Sequence, residues 1–309
     1  MKSWFFGIIC LVVTFSYAQE VKRNEREIST SPFIEGTIMV PQGTELPPLV
    51  IIIAGSGPTD RNGNQPMMKN NSLKFLAEGL YDKGIATFRY DKRIIKQLKE
   101  NNLSEKDVNF NEFIEDARSI VAYFKRSKAF SKIYVVGHSQ GSLVGMIAAQ
   151  RAADGFISIA GAGQEIDDVI VDQLAKQAPG LKDNARQSFD DMRANGIALN
   201  YSPGLASIFR EEIQPFLISW MQYNPQEEIT KLDIPVLIIN GDKDLQVQIS
   251  EAEKLKAAKP DATLKIVPGM NHILKQIEGT DIDNSKTYNQ PNLPVTTELI
   301  DIIAAFILN

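Results

Sequence analysis

Short apolar runs recur along the chain at residues 49–54, 85–90, 132–136, 155–160, 234–240 and 263–267, each the length of a buried strand. Between them, amphipathic segments at 72–82, 112–126, 143–151, 250–258 and 296–308 carry apolar residues at helical spacing. Strands apolar throughout, alternating with helices, predict a mostly parallel sheet covered by helices on both faces. Residues 28–30 and 33–40, followed by a Pro41-Gln42-Gly43 turn, predict a first pair of strands ahead of that alternation. The alternation fails once. Residues 163–230 contain no β-type run; they read as polar helices and one amphipathic helix, 205–223, interrupted at Pro215. An insertion between two sheet strands is expected over the strands' C-terminal edge as a cap. The expected organisation is a core of residues 19–162 and 231–309 with a helical cap at 163–230. Residues 279–293 are polar and read as a long surface loop.

Composition adds bounds. With 43% hydrophobic and 23% charged residues among 309, the chain has ample material for a large core. Lys2 precedes an uncharged apolar run, residues 4–17, that ends in Ser16-Tyr17-Ala18, the pattern of a secretory signal peptide cut after Ala18. The mature protein is then expected to be secreted or periplasmic. A membrane anchor is the alternative, but the run falls short of the roughly 20 residues a spanning helix needs. Cys10, the one cysteine, lies inside the leader and reads as a plain apolar residue. A net charge of −5, one unit more negative without Lys2, argues against nucleic acid as a partner. Only His138 and His272 are histidines, and no zinc-ligand spacing is present, so no metal is expected.

The chemistry centres on Gly137-His138-Ser139-Gln140-Gly141, which joins a strand-like run to a helix-like one. A serine on such a turn must accept strained angles, and glycines two residues either side leave room for it. The hydroxyl needs a base, and the base needs a third group to hold its tautomer. His138 is adjacent to Ser139 and points elsewhere, which leaves His272, on the loop after the run 263–267. Gly241-Asp242-Lys243-Asp244 offers two carboxylates. Asp244, further past its strand, is the preferred partner of His272, while Asp242 is suited to capping the turn. An oxyanion needs fixed donors, and the backbone N–H groups of Gln140 and Ser56 are the candidates. Residues 55–57 fail as a dinucleotide fingerprint because Asp60 occupies the third glycine position. No cofactor is implied.

These motifs resemble the α/β-hydrolase family over nearly all of the mature chain, with Ser139, Asp244 and His272 in that family's chain order. Residues 55–61 and 241–244 are similar to motifs of carboxylesterase, lysophospholipase-like and serine-aminopeptidase-like members. One departure is Ala54-Gly55, where many members carry His-Gly. The resemblance implies the α/β-hydrolase fold and cleavage of small-molecule carboxylic esters through an acyl-enzyme. A peptidase using the same triad is the alternative, with Asp190, Asp191, Glu211 or Glu212 of the cap holding a substrate amino group. A noncatalytic binding protein would lack a triad member. Phe209, Phe216, Leu217 and Trp220 share a helical face, to line an acyl or alcohol pocket or to pack the cap onto the body. Asp60, Arg61, Arg89, Asp91 and Arg93 stand at strand-end loops, either as buried ion pairs that shape the floor of the site or as solvated charges.

Overall fold

Every predicted strand is present, and together they form one sheet in the order β1-β2-β4-β3-β5-β6-β7-β8. The computed structural model describes residues 23–309; the predicted leader, with Cys10, lies outside the described residues. β1 (Glu25–Ser31), β2 (Ile34–Met39) and β4 (Ala86–Tyr90) pair antiparallel. The parallel part comprises β4, β3 (Leu49–Ile53), β5 (Ile133–His138), β6 (Gly155–Ile159), β7 (Val236–Gly241) and β8 (Thr263–Val267).

Strand periodicity sorts the core into two layers. Ile51, Ile53, Val135 and Ile238 face one side, against α3 (Phe110–Ser127), α4 (Gln140–Ala149) and α10 (Ile249–Ala258). Val50, Ile52, Val136 and Ile239 face the other, against α1 (Ser72–Asp82) and α12 (Thr297–Leu308). α3 buries Phe113, Ile114, Ala117, Ile120, Val121 and Phe124 in one stripe, and the Asn109 side chain caps it by accepting from Asn111 N–H at 2.9 Å. α4 is buried all round, because it crosses the middle of the sheet with α3 and α9 (Pro225–Thr230) on its outer side.

The insertion between β6 and β7 is helical, with α5 (Ile166–Gln177), α6 (Lys182–Asn195), α7 (Ala206–Phe209) and α8 (Gln214–Trp220). These helices enclose a core of their own around Val171, Phe189, Met192, Phe209 and Leu217. Three expectations need correction. The single helix over 205–223 is two: Pro215 stands in the first turn of α8, where its missing N–H costs nothing, so it begins a helix and interrupts none. α9, expected in the cap, buries Ile229 in the body, and Gln150 Nε2 donates to Glu228 Oε2 at 2.8 Å. The surface loop over 279–293 contains α11 (Asp281–Thr287), started by a reciprocal Thr280–Asp283 capping box that composition concealed. α2 (Arg93–Lys99) is a helix not among those expected, its apolar Ile94, Ile95 and Leu98 spanning little more than one turn; only Ile95 is buried, and Arg93 anchors it through two 2.7 Å bonds to Asp116.

Candidate active site

β5 enters α4 through one residue, Ser139, whose φ of 55° and ψ of −123° are strained for anything but glycine. A Cβ at Gly137 would lie 2.2 Å from the Gly141 carbonyl oxygen, and one at Gly141 would lie 2.4 Å from that of Ile53. Backbone cannot swing aside as a side chain can. Gly141→Ala is therefore expected to lower stability by about 2–3 kcal/mol, read as a lower urea midpoint with unchanged slope. Ser139 N–H donates to Ile159 O at 2.9 Å, which fixes the turn to the neighbouring strand.

His272 is brought up from the loop after β8 and is buried. Its Nδ1–H donates to Asp244 Oδ2 at 2.8 Å, so Nε2 is left as an acceptor. The other carboxylate oxygen, Oδ1, accepts from the N–H groups of Gln246 at 2.8 Å and Val247 at 2.9 Å. Asp242 is exposed and accepts instead from Gly269 N–H at 2.6 Å, holding the turn that precedes His272. Ser139 and His272 border one crevice of about 60 Å³, with Ser56, Gln246 and Tyr288 also on its wall.

His138, adjacent to Ser139 and not suited to be its base, has another task. In the structure its Nε2–H donates to the His272 carbonyl at 2.7 Å. Burial, reinforced by the neighbouring His272 ring, pushes its pKa down to about 4, so it stays neutral while it holds the backbone of the other histidine. Behind His272, Asn271 Nδ2 donates to Asn284 Oδ1 and Thr287 Oγ1, both at 2.9 Å. α11 thus braces this loop, and Tyr288 just beyond it receives a 2.9 Å bond from Gln246 Nε2.

Ser56 and Gln140 border the same cavities, and neither N–H is engaged by a hydrogen bond among the described residues. A Cβ at Gly55 would meet Ser139 Cβ at 3.1 Å, so the loop after β3 lies directly against the serine. Three consecutive carbonyls of this loop are held by side chains. Lys92 Nζ donates to Gly55 O at 2.5 Å and Gly57 O at 2.7 Å, and Thr59 Oγ1 donates to Ser56 O at 2.7 Å. In a trans peptide C=O and N–H point opposite ways, so Lys92 on Gly55 O aims the Ser56 N–H away from itself. Lys92 is buried, with no carboxylate partner among the described residues, and desolvation lowers its pKa to about 7. The sequence marks only its neighbours Asp91 and Arg93, which follow the buried strand β4, as charged groups of interest.

Those neighbours make the predicted ion pairs. Arg61 meets Asp91 at 2.9 Å, with its own N–H on the same carboxylate at 2.8 Å, and Arg89 reaches Glu25 at 3.1 Å. Asp60 instead accepts from the backbone of Asn62 and Asn64 and turns the loop.

Of the cap aromatics, Phe216 borders a cavity of about 550 Å³ and Trp220 one of about 230 Å³. Trp220 also stacks on Phe110 of α3, ring centroids 5.3 Å apart, and so joins cap to body. Phe209 is corrected: it lies fully buried against Phe189 in the cap's core and borders neither cavity, because the chain breaks between α7 and α8 and turns it inward. Asp190, Asp191, Glu211 and Glu212 are not on the walls of these cavities or of the crevice; Asp190 pairs with Arg186 at 3.0 Å and Asp191 accepts from Gln187 at 2.9 Å. Among the described residues no cluster of three or more His, Cys, Asp or Glu side chains is arranged to hold a metal.

A strained serine between a parallel strand and a helix, under a cap and facing a carboxylate-bound histidine, is the site plan of one family. The alpha/beta hydrolase family model matches residues 100–276, and the chain belongs to that family. Esterase EstD from Thermotoga maritima is 29% identical over 280 residues, 85% of this chain; the chain spans 63% of that relative's length. Est1E from Butyrivibrio proteoclasticus superposes with a TM-score of 0.59 at 20% identity, over 92% of this chain and 97% of that one. An alpha-beta serine hydrolase homologue from Coxiella burnetii gives 0.52 at 16% identity, over 94% and 100%. Both likenesses speak for the fold.

Proposed function

We propose that the protein is a serine hydrolase that cleaves carboxylic esters through an acyl-enzyme on Ser139. The observation that carries this reading is the 2.8 Å bond from His272 Nδ1–H to Asp244, in a crevice that Ser139 shares. Ser139 Oγ attacks the ester carbonyl carbon while His272 Nε2 takes its proton. The carbonyl oxygen becomes an oxyanion on the N–H groups of Ser56 and Gln140. Collapse breaks the bond to the alkoxy oxygen, which leaves as the alcohol with the proton from Nε2. Water then repeats the sequence on the acyl-enzyme: it gives a proton to Nε2, attacks the carbonyl and frees Ser139 and the carboxylic acid. Asp244 stays ionised and holds the imidazole in the tautomer this requires.

The name of the Thermotoga relative supports esters as the substrate class. An aminopeptidase reading lacks its anchor, since the four cap carboxylates suited to a substrate amine stand off the cavity walls. The test is covalent. A fluorophosphonate probe is expected to add one label per chain, on the peptide that contains Ser139, and p-nitrophenyl esters to give a burst of p-nitrophenol equal to that stoichiometry. Label on another residue, or full labelling of Ser139→Ala, would refute the assignment.

A further inference from the structure

Two cavities border the oxyanion donors Ser56 and Gln140, and only the smaller also borders Ser139. The larger, about 550 Å³, begins at Ser56, Gly57 and Gln140 and continues between Ile94, Val108, Phe113, Ile208, Ile213 and Phe216. Its charged wall residue, Glu105, is paired with Arg210 at 2.8 Å. The smaller, about 230 Å³, borders Ser139 itself and has a mixed wall, the amides of Gln164, Gln173 and Gln246 beside Leu143, Val169 and Trp220. It shares Ser56, Ser139 and Gln246 with the crevice at His272. None of Ser139, Gln246 and His272 borders the larger cavity.

A tetrahedral centre on Ser139, with its oxyanion on Ser56 and Gln140, has two groups left to place. The alkoxy oxygen must lie where His272 Nε2 can protonate it, on the side of the crevice and the smaller cavity. The acyl substituent is left to the far side of the donors, where the apolar cavity opens. We infer that this cavity is an acyl-chain site and that the preferred substrates are esters of apolar medium-chain acids. This rests on the acyl-enzyme reading above. A water occupies about 30 Å³ in the liquid, and a methylene is of comparable size, so the cavity exceeds an acetyl group many times over.

The test is a series of p-nitrophenyl acetate, butyrate, hexanoate and octanoate on the intact protein. Burial of each methylene is expected to raise kcat/KM about fourfold. Ile208→Trp and Val108→Phe each fill the cavity from a half-buried wall position, and are expected to lower the octanoate-to-acetate ratio of kcat/KM about tenfold or more. Melting curves establish that each variant folds; if one does not, the other and the wild-type series still decide. A flat or falling series, with turnover that depends on Ser139, overturns the acyl-chain site alone. A rising series that both fillers leave intact overturns it too. Absence of turnover on every ester, or turnover that survives Ser139→Ala, overturns the reaction reading and this inference with it.

Discussion

Asp244→Asn is expected to lower kcat for ester hydrolysis by about 10⁴-fold with little change in fold. The reason lies in the division of labour between the two carboxylate oxygens. Oδ1 accepts from two backbone N–H groups, at 2.8 and 2.9 Å, so the amide oxygen of an asparagine takes that side. The amide NH₂ must then face His272 Nδ1, where a carboxylate oxygen now accepts at 2.8 Å. A donor opposite Nδ1 forces the histidine proton to Nε2, and an Nε2 that carries the proton cannot take one from Ser139. The same variant keeps the loop bonds, so its melting temperature is expected within a few degrees of wild type. Loss of less than about tenfold in kcat would show that His272 does not depend on Asp244 for its tautomer. Asp242→Asn is the control: its carboxylate serves Gly269 N–H, a bond that an amide oxygen can also accept.

The fold, and the side chains that border the crevice, were legible because they rest on signals local in sequence. Apolar runs of strand length located β3 to β8, and glycines at 137 and 141 marked the turn, where any side chain would strike backbone. Having two histidines in the whole chain reduced the choice of base to one residue. What stayed hidden depends on contacts distant in sequence. Phe209 and Phe216 look equivalent as apolar residues at helical spacing, but the break between α7 and α8 turns one into the cap's core and the other toward a cavity. The 279–293 segment looks solvated by composition, although Asn284 and Thr287 are buried against the residue preceding the catalytic histidine of the proposed mechanism. Lys92 resembles any surface lysine until the loop after β3 is folded over it.

Lys92→Met is expected to lower kcat about 10²-fold while KM changes by less than about threefold. Lys92 does not border the cavities at Ser139; it acts through the peptide it holds. Its bond to Gly55 O sets the direction of the Ser56 N–H, and its bond to Gly57 O fixes the other end of the same three-residue arch. An oxyanion donor is worth most when it is already in place as charge develops, so a small rotation of this peptide weakens the transition state far more than substrate binding. A methionine fills the space without a donor, which separates the loss of hydrogen bonds from the loss of packing against Phe113. A second readout isolates the buried ammonium. Lys92 gives up its proton near 7 in the native state and near its ordinary 10.5 when unfolded. Between those values the unfolded chain binds more protons, so this group makes wild type gain stability as pH rises, and below about 7 its contribution is constant. The methionine variant lacks that gain. Urea denaturation at pH 7, 8, 9 and 10 is therefore expected to show wild type pulling ahead of the variant step by step. A stability gap that does not change over that range, or a KM that rises as steeply as kcat falls, would remove Lys92 from the positioning of the oxyanion loop.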